Sequence, residues 1–150
     1  MARRLAAAIL AAAVLSASTN GGKVEYIGGT LIQFPGRQDG RLSTADQRLL
    51  VFLFKDKRFG VAYERINLIE YGQKVNRRLV EAILISPLFL IAKSRRHFLT
   101  IGYRDENDGQ QALVFRVDKE DVRMLLVSLE ARTGLRVQYQ DEEARKAGKG

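Results

Sequence analysis

The chain has 150 residues, with 25 Lys+Arg against 17 Asp+Glu, a formal net charge of +8 and no Cys. That length accommodates one domain with a real core and leaves no room for a second. Without Cys there are no disulfides, thiolate metal sites or thiol catalysis, so stability has to come from packing.

The N-terminus reads as a secretory signal peptide over residues 1–18. Arg3 and Arg4 are a short basic region, Leu5 to Leu15 an unbroken apolar run, and Ser16-Ala17-Ser18 the small residues that a signal peptidase accepts. As a helix the apolar run covers ~16 Å, against a hydrocarbon core ~30 Å thick. It is therefore read as a signal and not as an anchor. No Cys follows it, which excludes a lipoprotein linkage, and Arg3-Arg4 lacks the surrounding pattern of a folded-protein export signal. Cleavage leaves 23 Lys+Arg against 17 Asp+Glu, a net charge of about +6 on an exported domain of residues 19–140. The expected location is the periplasm or cell envelope, peripheral on a membrane.

Short strand patterns follow. Val24 to Ile27 precedes Gly28-Gly29, and Leu31 to Phe34 runs into Pro35-Gly36, so both are expected as extended segments closed by turn residues. Gln38 to Arg48 is polar and reads as loop, with a short strand at Arg41-Leu42-Ser43. Leu49–Phe54 and Phe59–Tyr63 are β-prone runs separated by Lys55-Asp56-Lys57-Arg58, the pattern of a hairpin. Ile66–Gly72 is another strand. His97–Tyr103 and Gln111–Val117 flank Asp105 to Gly109, whose Asn-Asp-Gly core is a hairpin-loop signal.

A helix is expected from Asp118, a suitable N-cap, with Glu120 and Asp121 at the positive end of its dipole. Val122, Leu125, Leu126 and Leu129 make one apolar stripe. Gly134 stands where a left-handed cap closes the helix, just after Arg132 in its last turn. Leu135–Tyr139 reads as a last strand, and residues 141–150 as a charged flexible tail.

About seven strands followed by one amphipathic helix give a mainly β, α+β fold, a bent antiparallel sheet or barrel plugged by the helix. The stretch Ala62-Tyr63-Glu64-Arg65-Ile66 leading into Leu68–Gly72, the strand His97–Ile101, and the helix Asp118–Thr133 together resemble bacterial pleckstrin-homology-like (PH-like, GRAM-like) domains. The resemblance covers Lys23 to Tyr139. It implies a binding module for lipid headgroups, peptides or proteins, and not an enzyme. Lipid-binding members of that family pair a Lys in the first strand with a basic-x-Arg in the second. Lys23 takes the first part, but Arg37 and Arg41 are four apart, so phosphoinositide recognition does not carry over.

One segment stands apart from a simple barrel. Leu79–Ala92 is interrupted only by Glu81, Ser86 and Pro87, and basic residues flank it on both sides. As a helix it would span ~21 Å, short of the ~30 Å a bilayer requires, and Pro87 breaks it. It is expected as a helical apolar insertion, about residues 77–96. Two readings stand: contact with an anionic membrane surface or a partner protein, or a second helix packed on the sheet. The contact residues of the first are Arg77, Arg78, Leu84, Leu88, Phe89, Lys93, Arg95 and Arg96.

Candidate chemistry is sparse. His97, the one His, has no nucleophile or orienting acid nominated beside it and reads as a strand-edge residue. Glu64, Glu70, Glu81, Asp105, Glu106 and Asp108 show no spacing that makes a catalytic pair. Asp105–Gly109 lacks the twelve-residue spacing and terminal Glu of a calcium loop. No catalytic residue, metal site or cofactor is nominated. Export argues against nucleic acid as partner despite a pI of about 10.0. The expected function is a non-enzymatic binding or adaptor module at a membrane or protein surface. The alternative is an assembly protein that self-associates through the apolar segment or a sheet edge.

Overall fold

The computed structural model describes residues 21–31, 34, 36–74 and 96–149. The signal segment 1–18 lies outside the described residues, as does nearly all of the 77–96 insertion. The fold is mainly β, an open eight-stranded mixed sheet with two C-terminal helices. Its strands are β1 (Gly21–Gly29), β2 (Gln38–Ser43), β3 (Leu49–Phe54), β4 (Lys57–Ala62), β5 (Ile66–Gly72), β6 (His97–Arg104), β7 (Gln110–Val117) and β8 (Gln138–Tyr139). The spatial order is β4-β3-β2-β1-β7-β6-β5-β8. All neighbours are antiparallel except β5 and the two-residue β8, which run parallel. Helix α1 (Lys119–Thr133) follows β7, and α2 (Glu142–Lys149) ends the described chain.

Several elements differ from the sequence expectations: of Leu135–Tyr139 only Gln138–Tyr139 is strand, and Tyr63 leaves its strand for a 3-10 turn. β2 is a six-residue strand from Gln38, where polar residues read as loop. It is paired on both sides, with β1 through Val24↔Gly40 and with β3 through Leu42↔Phe52, and this pairing overrides weak local preference. Leu31 and Phe34, expected in a strand, lie outside the sheet. Phe34 N–H meets the Leu31 carbonyl at 3.4 Å, and its ring turns into the core, 5.0 Å from Tyr26 and 5.1 Å from Phe54. The tail expected to be flexible forms α2. Asp141 caps it by accepting from Ala144 N–H at 2.7 Å, and Ala144 and Gly148 are buried on one side.

The main core lies between α1 and one sheet face. Leu125 and Leu129 are fully buried against Tyr26, Leu42, Phe52 and Phe115. The expected helical stripe is the face that packs there: Val122, Leu125, Leu126 and Leu129 are its buried residues. Gly134 closes α1 at φ 74°, with its N–H on the Glu130 carbonyl. Asp118 occupies the N-cap position in extended geometry, although its side chain makes no capping bond. The opposite sheet face is also apolar in places, where Ile27, Phe98 and Val114 are buried.

Candidate binding cleft

Of the sequence-nominated contact residues, Arg77, Arg78, Leu84, Leu88, Phe89, Lys93 and Arg95 lie outside the described residues. Arg96 is half-buried directly ahead of β6. The strands on either side of it are described: Gly72 at the end of β5 pairs with Phe98 near the start of β6.

His97 sits at that end, where it is half-buried and not a solvated edge residue. Its Nδ1 is 2.5 Å from the hydroxyl of the fully buried Tyr71, and the two rings stack at 6.1 Å between centroids. Burial pushes the Tyr71 hydroxyl up to about 12, so it remains protonated beside the imidazole. Burial, with Lys119 adding to it, lowers the His97 pKa. The unfolded chain therefore takes up a proton before the folded one does as pH falls. This contribution is complete above about pH 6.5, the unfolded value, and is lost as pH drops through the lower folded value. The urea midpoint is expected to fall more steeply in wild type than in His97→Gln between about pH 7 and 5.

The triad of Arg37, Glu25 and Arg116 lies on the sheet face away from α1. The buried Glu25 carboxylate is ion-paired with both arginines, Arg116 at 2.7 Å. Lys23 stands directly across from Arg41 in the β1–β2 ladder. Arg41 donates to the Gly21 carbonyl at 3.1 Å, and Arg37 is held by Glu25, so these bases are committed to the fold. The Asp105–Gly109 loop is a hairpin turn. Asp105 Oδ1 accepts from the N–H groups of Asn107 and Gly109, and Asp108 takes φ 61°. Among the described residues no group of three or more His, Asp or Glu could hold a metal ion.

A cleft of about 690 Å³ opens where the turn before β3, the 3-10 turn Tyr63–Arg65 and the C-terminal end of α1 meet. Asp46, Arg48, Tyr63, Glu64, Arg132 and Thr133 are among its walls. The backbone ties the first two elements together, Tyr63 N–H donating to the Arg48 carbonyl at 3.0 Å. Asp46 is spent on the turn itself. Its Oδ1 accepts from Arg48 N–H at 2.7 Å and Leu49 N–H at 2.9 Å, and its other oxygen faces Arg58 at 3.7 Å. Those backbone donors hold the carboxyl below its ordinary pKa.

Tyr63 is 5 % exposed, and its hydroxyl has no hydrogen-bond partner among the described residues. A buried hydroxyl left in that condition costs ~1–3 kcal/mol. Burial raises its pKa; Arg132 opposes that shift and Asp46 reinforces it, so the hydroxyl feels both cleft walls and stays protonated. No pattern in the sequence marks this cleft. Tyr63 stood only at the end of a β-prone run and within a family-like stretch, and Arg132 only in the last turn of a helix.

No protein-family model matches the chain, and no curated protein matches it in sequence.

Proposed function

We propose that the protein is an exported, non-enzymatic binding module with a PH-like architecture, acting as an adaptor at an anionic membrane surface. The strand order β4-β3-β2-β1-β7-β6-β5, with the helix directly after β7, supports the PH-like assignment. The observation that carries the surface role is the Gly72–Phe98 pairing. It sets the end of β5 beside the start of β6, and in the sequence Arg77 and Arg78 follow the first within a few residues while Lys93, Arg95 and Arg96 closely precede the second. Each base near an anionic surface contributes ~1 kcal/mol, a contribution that depends on surface charge and is screened by salt. Among the described residues no helix is long and apolar enough to cross a membrane.

Vesicle sedimentation tests the proposal. The chain beginning at Thr19 is expected to pellet with phosphatidylcholine vesicles containing phosphatidylglycerol, to remain in solution with phosphatidylcholine alone, and to be released by high salt. Replacing Arg77, Arg78, Arg95 and Arg96 by Gln should abolish pelleting. Equal partition onto neutral vesicles, or no pelleting with either, would sink the idea. Self-association through a sheet edge is less well supported. The β4 edge carries the exposed Lys57 and Arg58, charges that discourage strand addition, and β8 is only two residues long.

A further inference from the structure

The Tyr63 cleft is independent of the membrane-facing end of the sheet. We propose that it is a binding site for a single carboxylate group presented by a peptide. Such a group supplies the acceptor that the Tyr63 O–H lacks, and places its charge beside Arg132. Neither Arg132 nor Arg48 uses its guanidinium in a hydrogen bond or ion pair among the described residues, although both line the cleft. Both are exposed, and the Tyr63 hydroxyl is closed to solvent. Ligand binding therefore requires the hydroxyl to be uncovered, and the planar forks of the two exposed arginines are suited to hold the carboxylate that reaches it.

The charge of the walls selects one negative charge over two. Arg48, Arg132, Asp46 and Glu64 all line the cleft. Asp46 is compensated by its own backbone donors and by Arg58, whereas Glu64 is exposed and repels a dianion. A monoanionic carboxylate fits that balance better than a phosphate dianion. The volume, about 690 Å³, admits several residues of extended peptide around the charged group.

The shared chemistry can come from an acidic side chain or from a chain end, and the experiment separates them. The isotopically labelled protein is titrated with an acetylated, amidated Gly-Glu-Gly peptide, with acetylated Gly-Gln-Gly bearing a free C-terminal carboxylate, with its neutral amide, and with inorganic phosphate. The amide resonances of Gln47, Leu49 and Thr133 are followed. At least one carboxylate peptide should shift them saturably, and the one that does identifies the source. The neutral peptide should not. Tyr63→Phe, which keeps the ring and the packing, and Arg132→Gln on the exposed wall should each weaken binding about tenfold or more. Unchanged binding in Tyr63→Phe, equal binding of the neutral amide, tighter binding of phosphate, or no shift with any carboxylate peptide would each overturn the proposal.

Discussion

Phe52→Ala is expected to lower the unfolding free energy by ~3–5 kcal/mol, read as a fall in urea midpoint at unchanged slope. Phe52 is 2 % exposed and stands at the centre of an aromatic cluster. Its ring stacks on Phe54 at 4.8 Å and meets Phe115 edge-on at 5.1 Å, with Tyr26 and Phe34 each at 6.3 Å. Collapse into the resulting cavity is obstructed. Leu42 and Phe59 are fixed opposite it by the ladders on either side of β3, and Phe115 belongs to β7, beyond β1 and β2 in the sheet. The loss thus includes the transfer of the ring, the unfilled volume and the ring–ring contacts. A domain of this size is stable by only ~5–15 kcal/mol, so the variant gives up a large share of its stability. The neighbouring Leu53, 42 % exposed on the other face, is the control: Leu53→Ala should stay within ~0.5 kcal/mol. A large loss at Leu53 and a small one at Phe52 would mean that the core lies on the opposite face of β3.

Much of the fold was legible in the sequence. The β3–β4 and β6–β7 hairpins were marked by charged or Asn-Asp-Gly turns between apolar runs, and α1 by its stripe from Val122 to Leu129. Where local pattern and tertiary environment part, the sequence misleads. β6 and β7 read as continuous apolar runs because both faces are buried: Phe98 and Val114 on one, Leu99 and Phe115 on the other. β2 is polar and became a strand only through its two neighbours. The tail is charged, yet Ala144, Ala147 and Gly148 recur at helical spacing on the side that packs against β5 and β8, a signal hidden by the lysines and glutamates around it. The Gly148 backbone comes so close that an added Cβ would lie 2.7 Å from Tyr139 Cε1. The cleft was illegible for a different reason. Asp46, Tyr63 and Arg132 come from three distant parts of the chain, and what distinguishes Tyr63 is a missing partner, a property that exists only after folding.

The position of α1 decides whether Arg132 stands beside Tyr63, and the contact that seats the helix is the pair Gly22 and Leu125. A Cβ at Gly22 would lie 2.5 Å from Leu125 Cδ1 and 2.9 Å from Asp121 Cβ, closer than packed atoms tolerate. The strand also holds the helix there by a hydrogen bond from Lys23 N–H to Asp121 Oδ2 at 2.7 Å. Gly22→Ala is therefore expected to cost ~1–3 kcal/mol by overpacking. Leu125→Ala should cost ~2–5 kcal/mol, since that side chain is fully buried. The double variant should cost less than the sum of the two by ~1 kcal/mol or more, because the methyl added at Gly22 occupies part of the space vacated by Leu125. Asp121 Cβ remains in the way, so the compensation is partial and the helix still shifts slightly. Arg132 lies about 10 Å further along α1 from Leu125, and a rigid helix transmits that shift to the cleft. Carboxylate binding should accordingly be weaker in Gly22→Ala than in the double variant, although neither residue touches the cleft. Strict additivity in stability would show that α1 is seated by its other contacts, and would remove the mechanical link between this strand and the Tyr63 site.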